Sequence, residues 1–290
     1  MNPTDNNATL KQADVRRRFD RAAYRFDDVD FVHAATRKGL LARLEPMTIE
    51  ASKVLDLGSA TGSALQSLRQ NFRAAHIIAA DLSGNMLAEA SKKLGWFSRT
   101  SLVQVDARAL PFEDQSIDVV FSNLMLPWLD DPTAIFTEVA RVLRHDGLFI
   151  FATLGPDSLN SIRQAWRNVD EGPHVNRFLD MHDIGDAAVH ARLRDPVLDV
   201  DRMTVTYANS EALFQDLTAM GARNSLLHRD RSLGAARRFQ AMTGQLERQR
   251  QGGLLQVELE IVYGHCWGSG PRATGAEVRV AAGQIGRRKR

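Results

Sequence analysis

The chain has 290 residues, 44% hydrophobic and 25% charged, and its 37 Lys and Arg against 35 Asp and Glu leave a net charge of +2. Apolar content that high at so small a net charge excludes disorder as the main state, and a lone cysteine, Cys266, excludes an internal disulfide scaffold. The balance gives no footing for nucleic-acid binding, and no run of 18 apolar residues exists to span a membrane.

Residues 1–13 are polar and are expected to be disordered; they lack the apolar run of a secretory leader, so a cytoplasmic protein is expected. From Asp14 to Leu44, Val15, Phe19, Ala22, Phe26, Phe31, Ala35, Leu40 and Leu44 recur near the helical period. Short apolar runs then alternate with helical stretches. The runs are Lys53–Leu57, Ala75–Asp81, Ser101–Asp106, Ile117–Asn123 and Gly147–Thr153; the helical stretches are 64–71, 84–94 and 132–144. This alternation implies parallel strands with helices on both faces, and near-continuous apolar strands fit a sheet buried on both sides.

After Thr153 the rhythm changes. Helices are expected over 158–169, 181–193, 211–220 and 233–249, and strands over Met203–Tyr207 and Gln256–Trp267. Residues 268–290, which end in Arg287-Arg288-Lys289-Arg290, read as a basic flexible tail. The expected architecture is α/β: a doubly wound, mostly parallel, Rossmann-like sheet of seven strands, the last antiparallel. It is one domain over 14–267, with helices inserted at 208–253 as a cap over the site.

Ligands of an open parallel sheet bind beyond the carboxyl ends of its strands. The first strand runs into Asp56-Leu57-Gly58-Ser59-Ala60-Thr61-Gly62, where glycines let a turn approach a ligand and the next helix offers free N–H groups. No lysine follows as in a triphosphate-binding loop. The second and third strands end in Asp81 and Asp106, each 25 residues after the acid before it, and the fourth ends in Asn123-Leu124. An acid at the second strand end suits ribose hydroxyls. One such residue is an ordinary cap or turn acid; the evenly spaced set points to an adenosine-type ligand. No residue set is singled out for a metal.

Val54–Gly62, Ala80–Leu87, Asp106-Ala107 and Leu110–Val120 resemble the successive motifs of class I S-adenosylmethionine-dependent methyltransferases, with Ser59 where Gly or Cys is more common. The resemblance implies S-adenosylmethionine as cofactor and S-adenosylhomocysteine as its product. It sets Asp56, Gly58, Ser59 and Gly62 at the methionine end, Asp81 and Leu82 at the ribose, and Met86, Asp106 and Ala107 at the adenine. Asn123 and Leu124 would border the sulfonium.

The core does not name the acceptor. Gln164–Phe178, Arg18–Ala23, Asn123–Trp128 and Glu260–Trp267 resemble the BioC family, malonyl-acyl-carrier-protein O-methyltransferases of biotin synthesis. That resemblance implies methyl transfer to the free carboxylate of malonyl-acyl carrier protein. It places Arg177, as a bidentate carboxylate holder, with Trp128 and Tyr24 at the acceptor. Tyr24 and Phe26 would form an aromatic lid, Phe26 standing where the family start often has Tyr. Arg16, Arg17, Arg18 and Arg21 would face the acidic carrier. His33, His174, His182 and His265 are read as structural or solvated. A second resemblance, in Asp216–Asn224 and Leu226–Asp230, is to complex I assembly factors associated with arginine hydroxylation; that role and methyl transfer to another small molecule stay open as alternatives.

Overall fold

A computed structural model describes residues 10–95, 98–129, 131–223 and 234–270. Residues 1–9 of the expected disordered segment 1–13, residues 271–290 of the expected tail 268–290, and residues 224–230 of the assembly-factor-like segment lie outside them; of the first segment, Leu10 is buried and Gln12 and Ala13 begin a helix.

Two helices, α1 (Gln12–Ala22) and α2 (Phe31–Leu44), joined by a 3-10 segment at Ala23–Val29, precede the sheet. Then come β1 (Lys53–Leu57), α3 (Leu65–Asn71), β2 (His76–Asp81), α4 (Gly84–Lys92), β3 (Thr100–Gln104) and β4 (Ile117–Asn123). A 3-10 turn at Leu126–Trp128 leads to α5 (Pro132–Val142) and β5 (Leu143–Leu154). The last third holds α6 (Asn160–Arg167), α7 (Met181–His190), β6 (Arg194–Tyr207), α8 (Ser210–Ala219), α9 (Ala235–Glu247) and β7 (Leu255–Trp267).

The seven strands lie in the order β3-β2-β1-β4-β5-β7-β6. The pairs from β3 to β5 are parallel, and β7 runs antiparallel to both β5 and β6. The strand order reverses between β1 and β4, which places a crevice at their carboxyl ends.

Because successive side chains in a strand point to opposite faces, each buried strand feeds two cores. Val54, Ile77, Val119 and Ile150 pack with α2, α3, α6, α8 and α9 on one face. Leu55, Ile78, Val120 and Phe149 pack with α5 and α7 on the other. Phe136 of α5 meets Phe149 and Phe151 of β5 at 5.5 Å each, and this aromatic triangle pins helix to sheet.

Helix starts follow readable caps: Ser83 accepts from the Met86 amide, Asp180 from His182 and Asp183, and Asn209 from Ala212. Three elements depart from expectation; β5 begins at Leu143, inside the stretch expected to be helical to 144. The strand expected at Met203–Tyr207 extends back to Arg194, because an edge strand with one partner tolerates Pro196 and the charges Asp199, Asp201 and Arg202 on its exposed positions. The third strand ends at Gln104, so Asp106 lies in the turn beyond it.

Gly264 of β7 stands opposite Phe151 of β5, and a Cβ there would clash with the Cζ end of the Phe151 ring. Phe151 is wedged in the aromatic triangle and cannot swing away cheaply. Gly264→Ala is therefore expected to cost about 1–3 kcal/mol, read as a lower urea midpoint at unchanged slope. A wild-type midpoint would show that the ring is free to move.

Candidate active site

The turn after β1 has left-handed backbone at Gly58, Ala60 and Gly62 (φ 76°, 46° and 74°). That sharp path lets the Gly58 and Ser59 amides both donate to the Ala80 carbonyl at 2.8 and 3.0 Å, closing β1 against the end of β2. Asp81 completes the closure. Its Oδ2 accepts from the Ala60 amide at 2.9 Å, and its Oδ1 accepts from the Ser83 amide at 2.8 Å. Each carboxylate oxygen keeps a further lone pair for a ligand.

A cleft opens over these strand ends. Its walls include Gly58, Asp81, Leu82, Asp106, Ala107, Asn123, Leu124 and Trp128 of the expected set, together with Phe19 and Phe26 from the N-terminal helices. Leu82 and Ala107 offer an apolar slot beside the two acids. Asp106 is gripped by Arg108, its Oδ2 to Nη2 at 2.6 Å, and this pair holds its carboxyl below the ordinary range. Arg108 drew no notice in the sequence.

Other expected residues sit elsewhere. Asp56 is buried, off the cleft wall, with its Oδ2 unpartnered, and burial with the nearby Asp81 charge pushes its carboxyl up to about 7. Burial likewise raises Asp81 to about 6. Ser59 is buried with its hydroxyl unpartnered. At Gly62 a Cβ would press on Leu65 and Ala90, so that glycine serves the packing of α3 on α4. Met86 is fully buried among Ala22, Ala23 and Phe26, and an adenine-facing place for it is corrected to core packing. Tyr24 is 74% exposed and lines an outer groove with Arg21 and Arg25. Of the aromatic lid expected from Tyr24 and Phe26, only Phe26 lines the cleft; Phe19 and Trp128 join it, edge-on to each other at 5.1 Å. Gln12 fastens this cover by donating to the Trp128 carbonyl at 2.9 Å.

Asn123 borders the cleft, but its amide ties the sheet to α2: Thr36 Oγ1 donates to its Oδ1 at 2.8 Å and its Nδ2 donates to the His33 carbonyl at 2.9 Å. Leu124 has a φ of 58°, strain that a non-glycine residue holds only when its surroundings dictate it. Its amide donates to the Ala152 carbonyl at 2.9 Å, which fixes that geometry.

A second cavity, about 220 Å³, adjoins the cleft; His33, Leu124 and Trp128 form walls of both and so mark the neck between them. Its lining is mostly apolar. Leu213, Phe214 and Leu217 of α8 and Phe239 of α9 cover it. The polar lining residues are His33, His174, Asn176, Tyr207 and Arg223.

Arg177 is not among these walls; it is exposed, between the buried Asn176 and Phe178. His174, Val175, Asn176 and Phe178 line the cavity, and Arg177 lies outside its walls. His174 is stacked on Trp166 at 3.5 Å and hydrogen-bonded to Asp170. Burial holds His33 down at about 4, so its ring is neutral at ordinary pH. The two histidines and Asn176 had no sequence signal beyond lying near the segments already noted. Of the basic residues on α1, Arg16 lines the cleft and Arg17, Arg18 and Arg21 share a groove with Arg223, which also borders the cavity.

Residues 55–151 match the family model described as a methyltransferase domain. A malonyl-[acyl-carrier protein] O-methyltransferase of Halorhodospira halophila is 38% identical over 100% of this chain and 100% of its own. One of Laribacter hongkongensis is 41% identical over 87% of this chain and 88% of its own. A solved putative methyltransferase of Bacillus halodurans superposes with a TM-score of 0.57 at 15% identity, covering 80% of this chain and 99% of that one.

The buried carboxyls set a pH signature. A carboxyl whose folded pKa is raised holds its proton after the unfolded chain has released it, so stability falls as pH rises from the unfolded to the folded value. For Asp56 that window runs from 3.8 to about 7. Asp56→Asn is expected to flatten the fall, with its melting temperature gaining on wild type between pH 4 and 7. Parallel curves would show that Asp56 titrates as an ordinary carboxyl.

Proposed function

The chain belongs to the family of malonyl-[acyl-carrier protein] O-methyltransferases, and on that premise we propose that it transfers a methyl group from S-adenosylmethionine to the free carboxylate of malonyl-acyl carrier protein, a step of biotin synthesis. The observation that carries this reading is the neck shared by two cavities, one edged by strand-end acids and one apolar.

The cleft suits the cofactor. Asp81 would accept from ribose hydroxyls, Leu82 and Ala107 would flank the base with Asp106 at its edge, and the turn from Asp56 through Gly62 would shape the methionine end. S-adenosylmethionine supplies a methyl group on a cationic sulfonium. The carboxylate is already a nucleophile at neutral pH, so the chain needs no general base. The residues of the site have three tasks: to hold the carboxylate oxygen in line at the neck, to keep water out and to cover both ligands. Leu124 and Trp128 form the neck, Phe19 and Phe26 shield the cleft, and α8 and α9 shield the acceptor cavity.

The product is a methyl ester whose carboxylate charge is masked, which would let chain-elongating enzymes accept it. Arg17, Arg18, Arg21 and Arg223 edge the groove beside the acceptor cavity, and such a surface favours an acidic carrier.

Purified enzyme given methyl-labelled S-adenosylmethionine and malonyl-acyl carrier protein is expected to put base-labile label on the acyl group. Failure to label, in a preparation that binds the cofactor, would refute the reading. Asp81→Ala should weaken cofactor binding at least ~10-fold by calorimetry, since bonds to a charged acceptor are the stronger class; unchanged affinity would remove the ribose assignment.

A further inference from the structure

We infer that the accepting carboxylate is seated at the neck by two uncharged donors, the Asn176 amide and the His33 imidazole, and that its counter-charge is the sulfonium rather than an arginine. This rests on the functional reading above and deepens it.

Asn176 is 8% exposed and lines the acceptor cavity, yet its side chain is nearly idle. Its Oδ1 has no partner, and its Nδ2 reaches only the Pro127 carbonyl at 3.5 Å. Pro127 belongs to the turn that carries Trp128, a residue of the neck, so Asn176 stands beside the neck. His33 is itself a neck residue, and its buried Nδ1 also lacks a partner. A buried donor left unmatched is costly; a carboxylate can accept from the second N–H of Asn176 Nδ2 and from His33 Nδ1 in its N–H tautomer, whereas Asn176 Oδ1, an acceptor, is left to a donor.

The cations nearby are spoken for or misplaced. Arg163 is misplaced: it is not a wall residue, its Nη2 donates to the Asn176 carbonyl at 3.0 Å, and its buried Nε has no partner. Arg37 pairs with Asp30 at 3.3 Å, and Arg16, in the cleft, pairs with Asp20 at 3.6 Å. Arg223 lines the cavity and the outer grooves, its guanidinium 5.7 Å from the ring of Phe239 on the α9 cover. His174 is held by Asp170 and the Trp166 face.

The reaction favours this arrangement. The carboxylate oxygen forms a bond to the methyl carbon as the carbon–sulfur bond breaks, and that electron pair stays on sulfur. An anion and a cation become two neutral groups, and no proton moves. Charge therefore shrinks toward the transition state. A fixed guanidinium on the carboxylate would stabilise the reactant more than the transition state and slow the transfer. Uncharged donors in an apolar cavity fix direction without that penalty.

The test compares variants on malonyl-acyl carrier protein, each first shown to bind S-adenosylhomocysteine as wild type does. Asn176→Ala is expected to lose at least ~10-fold in kcat/KM, and Asn176→Asp more, because a second carboxylate repels the first. His33→Phe, which keeps a ring against Phe26 but has no N–H, should show a comparable loss and stands alone if the Asn176 variants do not fold. Arg177→Ala should stay within ~2-fold of wild type, as an exposed substitution. By calorimetry, malonyl-pantetheine should bind more weakly to S-adenosylhomocysteine-loaded Asn176→Ala than to loaded wild type. Wild-type kcat/KM in Asn176→Ala and His33→Phe, or an equal loss in Arg177→Ala, would overturn the seat. A wild-type enzyme that binds cofactor but methylates neither acceptor would instead remove the functional reading beneath it.

Discussion

One carboxylate organises the site. Asp81 takes an amide N–H from Ala60 on one oxygen and from Ser83 on the other, so a single side chain fastens the turn after β1 to the start of α4. Its burial makes the charge expensive, and the two backbone bonds return part of that cost. The left-handed residues Gly58, Ala60 and Gly62 lie in the turn that this carboxylate holds. The cofactor cleft thus owes its shape to a charged group that also forms its wall.

The rest of the site is built outward from that point by neutral contacts. Asn123 binds Thr36 and the His33 carbonyl, which locates α2 over the end of β4. The same attachment positions His33 at the neck. Gln12 and Phe19 bring α1 down on Trp128, so the segment that precedes the sheet becomes the cover of the cleft. The helices inserted between β6 and β7 cover the adjoining cavity, with Phe214 and Phe239 meeting at 4.9 Å. A methyl donor and a carboxylate meeting between these covers are sheltered from water, and opposite charges there attract more strongly than they would in solvent.

In the proposed reaction the adjoining apolar cavity, about 220 Å³, would hold the three-carbon acyl group and part of its thioester arm. Arg223 joins the cavity to an arginine-edged groove on α1. Charge thus gathers outside, where it attracts an acidic partner from a distance, and thins out at the neck, where it would slow the reaction.

The alternation of apolar runs and helical stretches, the strand-end acids at 56, 81 and 106 and the glycine turn were all legible in the sequence, because burial on two faces and sharp turns each demand particular residue types at fixed spacing. Those local rules determined the sheet and the crevice at its strand ends. They did not determine which side chains reach the ligand. Arg177 has the chemistry expected of a carboxylate holder, but His174, Val175, Asn176 and Phe178 line the cavity and Arg177 is exposed outside it. Met86 and Tyr24 fell to the same limit, one drawn into the core by Ala22 and Phe26 and the other left in solvent. Facing is decided by how distant segments pack, and a short polar residue such as Asn176 carries no periodic signal of its own. Only the tertiary structure could show that His33 of α2 and Asn176, beyond β5, line one cavity.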